Sequence, residues 1–304
     1  MRSTAEAAAS AVPVPAGPAE GTVSWLRVVL RRKVAVLGAL LVAVNLLVAL
    51  AAPIVAGRDP QIMDVKSRLS APSAVHWLGT DDVGRDVWSR VVYGARLSMV
   101  VGGSVVLVAC VFGLAFGLLG GYYRVLDNVL MRVMDGLMAF PGIILAIAMM
   151  ASLGPSVVNI IIALGVVYVP RVARVVRGSV LVIRETPYVE AARALGVSDA
   201  SIMLRHVLPN CLSPVIVQST FIFAAAVLGE AALSFLGVGA PPFIPSWGNV
   251  LAEGRLYLQQ APWLTLFPSA AIMAMILGLN LFGDGLRDIL DPRLRGVQGA
   301  ARET

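Results

Sequence analysis

Long stretches without a charged residue alternate with arginine-containing segments along most of the chain. A helix crosses about 30 Å of hydrocarbon with about 20 residues at about 1.5 Å each. Five stretches reach that length, and each predicts at least one membrane-spanning helix. They lie between Lys33 and Arg58, between Arg96 and Arg124, between Asp135 and Arg171, between Arg205 and Glu230, and between Arg255 and Asp284.

The stretch between Asp135 and Arg171 decides the number of crossings. It is too long for one helix, and the turn sequence at residues 154–156, Gly-Pro-Ser, interrupts it. With two helices there, six spans place the arginine-rich segment after Arg171 on the same side as both basic termini. Five spans would place that segment outside, against the preference of Lys and Arg for the cytoplasmic side. The pattern therefore predicts six spans with both termini in the cytoplasm.

The composition agrees with a polytopic membrane protein. Apolar residues make up 58% of the 304 residues, charged residues make up 14%, and the mean hydropathy is +0.83. Soluble domains carry about 25% charged residues, so a soluble enzyme and a largely disordered chain are both excluded. The net charge of +6 is typical of cytoplasmic loops rather than of a nucleic-acid surface. Cys110 and Cys211 lie far apart, so neither a disulfide framework nor a cysteine metal site is predicted.

The pattern divides the chain into five parts. An interfacial helix is predicted before the second span, because four apolar residues recur there at helical spacing: Val87, Trp88, Val91 and Val92. The parts are a flexible cytoplasmic tail (1–24), a first transmembrane helix (25–56), an external loop with the interfacial helix (57–96), a core of five transmembrane helices (97–285) and a cytoplasmic C-terminal tail (286–304).

Residues 171–209, within the core, carry too many arginines for the bilayer and are predicted to lie in the cytosol. Thr186 fits a helix N-cap, and Pro187 fits the first helical position. Residues 190–195 are rich in strong helix formers, and Gly196 fits a helix stop that requires a positive φ. A short cytosolic helix is therefore predicted here.

A second short helix is predicted after the glycine, with Ser198 as its N-cap, Ile202 within it and Pro209 at its end. Two helices joined at a glycine and held at both ends are suited to dock into a groove on a cytosolic partner. A solvated connecting loop is one competing interpretation. A DNA-binding helix-turn-helix is another. It lacks room for a third supporting helix, and the membrane restricts its access to DNA, so no nucleic-acid partner is predicted.

The same segment resembles the EAA signature of ABC importer permeases, in which EAA is followed by three residues, a glycine, nine residues and I-x-L-P. The matching residues are Glu190, Ala191, Ala192, Gly196, Leu208 and Pro209. His206 stands where the general signature has Ile. Peptide-importer permeases often carry RHxLPN there, and residues 205–210 read RHVLPN. The departure therefore narrows the resemblance to peptide importers.

Other segments are similar to the C-type subunit of dipeptide and oligopeptide importers. They are WLGTDDVGRDVWSRVVYGAR (77–96), EAALSFLGVG (230–239), PSWG (245–248) and NLFGDGLRDILDPRLRG (280–296). The spacing from Pro242 to Pro245 is one residue longer than in the usual pattern. The resemblance extends over residues 25–296, and its motifs occur in the family's order.

The resemblance implies an all-α, six-helix permease of the type I ABC importer fold, surrounded by lipid in the plasma membrane. It implies that a homologous permease subunit completes the pore and that two cytosolic ATP-binding subunits or domains drive transport. An extracytoplasmic substrate-binding protein would deliver a peptide. No cofactor and no metal are implied.

Residues 171–209 would then form the coupling loop, which moves when the ATPases close on nucleotide. Glu190 would pair with a basic residue of the ATPase. Ala191 and Ala192 would allow close approach, and Gly196 would supply the turn. Leu208 and Pro209 complete the ATPase-coupling set that the signature implies.

Glu230 is predicted at the outer end of the fifth span. A charged side chain at the bilayer centre costs about 2.5–3.5 kcal/mol on insertion scales, so this carboxylate should face protein or water. Two interpretations stay open, a pore or gate residue and a structural hydrogen bond near the interface. On the second span, Gly113, Gly117 and Gly121 form a ridge of small residues, for which contact within this chain is favoured over a dimer face.

Two groups on the outer side are predicted to serve structure. The first consists of Asp81, Asp82, Arg85 and Asp86. Mutual ion pairs and helix capping are favoured there over a metal or a binding protein, because oxygen ligands at this spacing are weak evidence for a metal site. The second consists of Trp247, Tyr257 and Trp263, which flank the last span as an aromatic belt would.

Catalysis is not predicted. The sequence contains no GxxxxGK(S/T) motif, so an ATPase motor must be another polypeptide. An intramembrane zinc protease would need HExxH, and a serine type would need a histidine on a span. The histidines are His76, which lies in a predicted loop, and His206, which lies at a predicted cytosolic edge. A stand-alone secondary transporter would carry ionisable groups at mid-membrane. Even Glu230 is predicted to lie away from the middle of the membrane. We therefore predict a non-enzymatic pore subunit.

Overall fold

The structure, a computed structural model, describes residues 33–290. The predicted tail at 1–24, residues 25–32 and residues 291–304 lie outside that range. Within it the regular elements are helices, in this order: α1 (Lys33–Leu50), α2 (Ala52–Val55), α3 (Val87–Tyr122), α4 (Arg124–Met138), α5 (Gly142–Leu153), α6 (Val157–Ile183), α7 (Pro187–Ala194), α8 (Asp199–Ile202), α9 (Leu208–Phe235), α10 (Trp247–Gly254) and α11 (Trp263–Leu290).

Among the described residues, five helical stretches are long and apolar enough to cross a membrane. They are α1, α3, α6, α11 and the continuous helix Asp199–Phe235, which joins α8 to α9. A sixth span results if α4 and α5, which bend by 89° at the break between them, are counted together. The prediction of an all-helical, six-span membrane protein is confirmed at that level.

The third span differs from the straight helix that the charge-free stretch predicts. The helix starts earlier, at Arg124, and stops at Met138, and α5 restarts after Pro141. Proline lacks a backbone N–H and disfavours helical geometry in the residue before it, here Phe140, so the helix cannot run through. The predicted break after α5 is confirmed, since Gly154 has a φ of +82° and the Ser156 hydroxyl caps α6.

The predicted interfacial helix is not a separate element. Val87–Tyr122 is a single helix of 36 residues, so the residues assigned to that interfacial helix form the first turns of the second span. Asp86 starts it by accepting a hydrogen bond from the Ser89 N–H, and no proline follows to end it. The predicted boundary between external loop and core, at residue 96, therefore falls inside α3.

The fourth span also runs further than its charge-free part. α6 continues to Ile183, so the first residues of the predicted loop at 171–209 are helical. Charged residues end an apolar stretch of sequence, but the helix can continue through them. Arg177 pairs with Asp127 at 2.5 Å, and Arg174 pairs with Asp135 at 2.7 Å, so both arginines bind α4.

The core lies where α3 packs along α6, and the glycine ridge makes this contact. Ideal Cβ atoms on Gly117 and Gly121 would lie 2.6 Å from the Cβ atoms of Val176 and Val180 respectively, and one on Gly113 would collide with Val172. Side chains there would push the helices apart, so only glycine permits this approach. The preference for a contact within the chain is confirmed.

The predicted aromatic belt is wrong for Trp247. Its side chain is only 1% exposed, and its Nε1 donates to the Val91 carbonyl at 2.9 Å. Trp263 likewise donates to the Thr80 carbonyl at 3.0 Å, and the Tyr257 hydroxyl accepts from Arg68 at 3.4 Å. These contacts fasten the segments at one end of the helices to each other. We call that end, which carries residues 57–86 and 236–262, the outer end, following the predicted topology.

Candidate functional site

The inner end of the molecule is shaped by the segment after α6, which we call the elbow (residues 186–207). Its first arm, α7, begins at Pro187, as predicted. Thr186 occupies the N-cap position, but its hydroxyl donates backwards to the Ile183 carbonyl at 2.5 Å and makes no cap hydrogen bond. The arm ends at Gly196, whose φ of +78° favours glycine, so the predicted turn is confirmed.

The second arm does not end at Pro209. α8 starts after Ser198, as predicted, and continues through a π-helical turn, Met203–Val207, directly into α9. Pro209 follows this π-helical turn and lies in the first turn of α9. Proline has no N–H to donate, and the π-helical turn is where the helix departs from the α-helical hydrogen-bond pattern. The second arm of the elbow and the fifth span are therefore one continuous helix.

The underside of the elbow is fixed to the membrane-spanning body by apolar contacts. Val189, Ile202 and Val207 are completely buried. They belong to the same hydrophobic core as Val176 and Val180 of α6. Burying each such side chain contributes about 1.5–3 kcal/mol, so the elbow is held against α6 rather than hanging free.

Polar contacts tie the elbow to the inner end of α3. The Tyr122 hydroxyl donates to Asp199 Oδ1 at 2.5 Å, and the Arg193 guanidinium lies 5.8 Å from the centre of the Tyr122 ring. Arg184 donates to the Gly121 carbonyl at 3.0 Å. Sequence reasoning missed these contacts, because nothing local pairs Tyr122 with a residue 77 positions later.

The opposite face of the elbow is exposed. Glu190, Ala191 and Gly196 lie on the surface, and the Leu195 side chain is 84% exposed. Among residues 33–290, no ion pair involves the Glu190 carboxylate. A short, anchored helix that exposes a carboxylate and is followed by an exposed apolar side chain forms a surface suited to another protein.

The predicted coupling residues divide between the two faces. Ala192 and Leu208 are partly buried and pack against the hydrophobic core. Pro209 is exposed at the base of the second arm, at the same inner end of the molecule as the exposed residues of α7. The signature therefore combines residues that present a surface with residues that fix it, a division that the sequence alone does not reveal.

Glu230, the other candidate, lies on α9 near its outer end and is completely buried. Its Oε1 accepts hydrogen bonds from Ser234 at 2.9 Å and from Ser246 at 2.7 Å, and Ser98 lies 3.5 Å from its Oε2. These partners supply the hydrogen bonds that the structural interpretation requires. A pore or gate role for Glu230 stays a prediction.

The family of the chain follows from comparison with known proteins. The family model for the binding-protein-dependent transport system inner membrane component matches residues 113–296, which include the glycine ridge, the elbow and Glu230. The chain belongs to this family. It is therefore a membrane-embedded permease subunit of an ABC importer, as its sequence motifs predict.

Individual relatives resemble the permease over most of its length. A Brucella suis protein assigned to a peptide transport system as its permease is 49% identical, over 90% of this chain and 92% of the relative. The dipeptide transport system permease protein DppC of Alkalihalophilus pseudofirmus is 46% identical, over 87% and 88%. The glutathione transport system permease protein GsiD of Pectobacterium atrosepticum is 42% identical, over 89% and 90%.

At the outer end, the permease contains a buried network of charges. Asp81 pairs with Arg85 and with Arg90, at 2.6 Å each, and Glu253 of α10 pairs with both arginines. Arg90 is 1% exposed and Asp81 is completely buried. The prediction of mutual ion pairs and capping in this segment is confirmed, because Asp86 also caps α3.

A third carboxylate, that of Asp82, lies at this network. Within residues 33–290, Asp82 makes no ion pair, although its carboxylate lies within 4.8 Å of those of Asp81 and Glu253. Its burial raises the pKa of Asp82, and the charges of Glu253 and Asp81 raise it further. The arginines thus balance Asp81 and Glu253, and Asp82 carries the remaining negative charge.

Proposed function

We propose that this permease forms half of the translocation pore of an ATP-driven peptide importer. A homologous permease subunit completes the pore, and an extracytoplasmic binding protein delivers a dipeptide or oligopeptide. The substrate class is supported by the relatives, whose names include peptide, dipeptide and glutathione transport. Two cytosolic ATP-binding subunits supply the energy, since the chain carries no phosphate-binding motif of its own.

The ATPases bind the exposed face of the elbow. Glu190 pairs there with a basic residue of the ATPase, and Ala191 lets the two backbones approach. The observation that carries the proposal is the division of the elbow into an exposed face and a buried underside. When the ATPases close on nucleotide, a push on the exposed face passes through Val189, Ile202 and Val207 into the membrane-spanning body.

The elbow and both termini lie in the cytoplasm. The arginines of α6 and of the elbow support this orientation, because Lys and Arg concentrate in cytoplasmic segments. Leu195 in the elbow and Leu256 at the outer end offer a matched pair for a test, since each lies in an exposed turn, with 84% and 74% of the side chain exposed.

Cysteine labelling tests the orientation. Leu195→Cys and Leu256→Cys are made separately, with Cys110 and Cys211 replaced by alanine, and intact cells are treated with a membrane-impermeant maleimide. We expect labelling at position 256 in intact cells and at position 195 only after the membrane is opened. Labelling of position 195 in intact cells would contradict the proposal.

Reconstitution tests the function. The permease is co-expressed with a homologous permease and the ATPases, and ATP-dependent uptake of a labelled dipeptide and a labelled hexapeptide into proteoliposomes is measured. We expect uptake only with the complete complex and with the binding protein present. Transport by the permease alone, or failure of any ATPase to co-purify with it, would overturn the proposal.

A further inference from the structure

The role of Glu230 is not explained by the elbow. The residue lies on the same continuous helix, Asp199–Phe235, but near the opposite end. At about 1.5 Å per residue, its 37 residues span about 55 Å. A fully buried carboxylate therefore lies at the far end of the helix that begins in the elbow.

The serines around Glu230 belong to different segments. Ser234 is one turn further along α9, and Ser246 starts α10 by accepting a hydrogen bond from the Gly248 N–H at 3.1 Å. Ser246 belongs to the segment between α9 and α11, which we call the outer hairpin (residues 236–262). One carboxylate oxygen therefore bonds both α9 and the outer hairpin.

Close packing reinforces this connection. The Ser234 hydroxyl accepts a hydrogen bond from the Ala240 N–H at 3.0 Å. An ideal Cβ on Gly239 or Gly248 would collide with Ser234 or with the Ala231 carbonyl, so the hairpin backbone lies directly on α9. Inside the hairpin, Asn249 donates to the carbonyls of three residues at 3.2 Å each; they are Ala240, Pro241 and Ile244.

The outer hairpin in turn holds the external loop. Glu253 of the hairpin pairs with Arg85 and Arg90, and Gln61 donates to the Phe243 carbonyl at 3.1 Å. Phe243 and Leu256 expose most of their side chains at the outer surface. A protein that docks on this surface therefore meets a unit that is fastened to α9.

We propose that Glu230 is a positioning residue that locks the outer hairpin to α9, so that the outer hairpin and the elbow move as one rigid body. This inference rests on the proposed function, in which the ATPases bind the elbow. A movement imposed by the ATPases then reaches the outer surface through one continuous helix. Docking of the binding protein is transmitted in the opposite direction by the same helix.

The contact of Glu230 with Ser234 and Ser246, which we call the clamp, favours a carboxylate but does not require its charge. Oε1 accepts both short hydrogen bonds, and the amide oxygen of Gln can accept the same two. Alanine would leave the Ser234 and Ser246 hydroxyls without their acceptor in a site that water does not reach. Ser246→Ala removes only the hydroxyl that belongs to the hairpin.

A distance measurement across the molecule tests the clamp. Spin labels at Leu204→Cys in the elbow and Leu256→Cys in the hairpin, both exposed, report the separation of the two segments within one permease, with Cys110 and Cys211 replaced by alanine. The complete transporter is measured in nanodiscs, without nucleotide and after trapping with ATP and vanadate. We expect the mean distance to change by less than about 2 Å, the size of a small helix shift.

Variants separate a clamp from a merely structural group. In Ser246→Ala and Glu230→Ala we expect the distance distribution to broaden and to differ between the two states, and peptide uptake to fall about fivefold, the equivalent of one hydrogen bond. Glu230→Gln should restore the narrow distribution. Ser156→Ala is the matched control, because Ser156 also caps a helix at a turn and its hydroxyl has no carboxylate partner among residues 33–290.

Two results would overturn the clamp and leave the proposed function standing. One is a wild-type distance that shifts by more than about 2 Å between the trapped and free states of an assembled transporter. The other is a Ser246→Ala transporter that matches Ser156→Ala in distance and in uptake. If no ATPase co-purifies with the wild-type chain, the proposed function and the clamp fail together, before any variant is compared.

Discussion

The two ends of the long helix Asp199–Phe235 are built in opposite ways. At the inner end, apolar side chains fix the underside of the elbow, and its other face is left bare, with Leu195 and Glu190 exposed. At the outer end, buried charges and hydrogen bonds hold every segment to its neighbours, as around Glu230 and Arg90. The difference agrees with the proposed docking of the ATPases on the inner end, whereas the outer end maintains its own shape.

The largest effect is expected from Gly196→Pro in the elbow. Proline fixes φ near −65°, whereas Gly196 has a φ of +78°, so the turn between the arms cannot form. Peptide uptake should fall to background while membrane insertion stays intact, because the spans do not depend on this turn. Uptake and ATP hydrolysis in proteoliposomes measure the loss of coupling.

Glu190→Ala should likewise uncouple ATP hydrolysis from uptake, through loss of the ion pair with the ATPase. Glu185→Ala is its matched control, since Glu185 is an exposed acid that pairs with the neighbouring Arg184. Wild-type uptake by both Gly196→Pro and Glu190→Ala would refute the assignment of the elbow as the coupling element.

At the outer end, Arg90→Ala should act on stability rather than on coupling. Removing one member of a buried ion pair costs about 3–5 kcal/mol. In this variant Arg85 alone would face the carboxylates of Asp81 and Glu253. Thermal melting of the purified complex should show a clear loss. Arg255→Ala serves as the control, because Arg255 is exposed. Equal melting of the two variants would show that the charge network does not hold the outer end together.

A smaller effect is expected from Tyr122→Phe, which removes one polar tie between α3 and the elbow. The hydroxyl donates to Asp199, and its net contribution is about 1 kcal/mol. Amides of the elbow should exchange faster with deuterium, while uptake changes little. Tyr123→Phe is the control, because no hydrogen bond from the Tyr123 hydroxyl occurs within residues 33–290. Equal exchange in both variants would mean that apolar burial alone fixes the elbow.

The smallest effect concerns Asp82 and depends on pH. Because burial and neighbouring carboxylates raise the pKa of Asp82, the folded protein loses stability as the pH rises from the ordinary aspartate pKa through that raised value. Asp82→Asn should therefore raise the melting temperature slightly at neutral pH and leave it unchanged below the ordinary pKa.

Asp64→Asn should show the opposite sign. The Ser67 hydroxyl and the Lys66 N–H donate to this exposed carboxylate and lower the pKa of Asp64. Its contribution is present above the ordinary aspartate pKa and is lost as the pH falls through the lowered value. Asp64→Asn should thus lower the melting temperature slightly at neutral pH. The same sign for both variants would contradict the charge balance assigned to the outer end.

The elbow could be predicted from the sequence because its signals are local. Pro187, the helix formers after it and Gly196 fix the first arm within ten residues, and the structure agrees. The predicted end of the second arm was wrong, because proline is compatible both with the end of a helix and with the first turn of a helical segment. Only the apolar continuation into α9 decides between them.

The outer end was harder to predict because its contacts join distant residues. Trp247 resembles a belt residue by position, yet its partner is the carbonyl of Val91, 156 residues earlier. The charges of residues 81–86 indicated ion pairs, but nothing in the sequence identified Arg90 or Glu253 as members. The predicted spans also ended where the charge-free stretches end, whereas helices such as α6 continue well past their last apolar turn.

The row of glycines on α3 limits how the pathway can open. Valines of α6 fill the notches left by Gly113, Gly117 and Gly121. An axial slip shorter than one full turn, about 5.4 Å, would drive a branched side chain into a backbone. These two helices therefore act as one unit, and any alternation between access from one side and from the other must move the pair together.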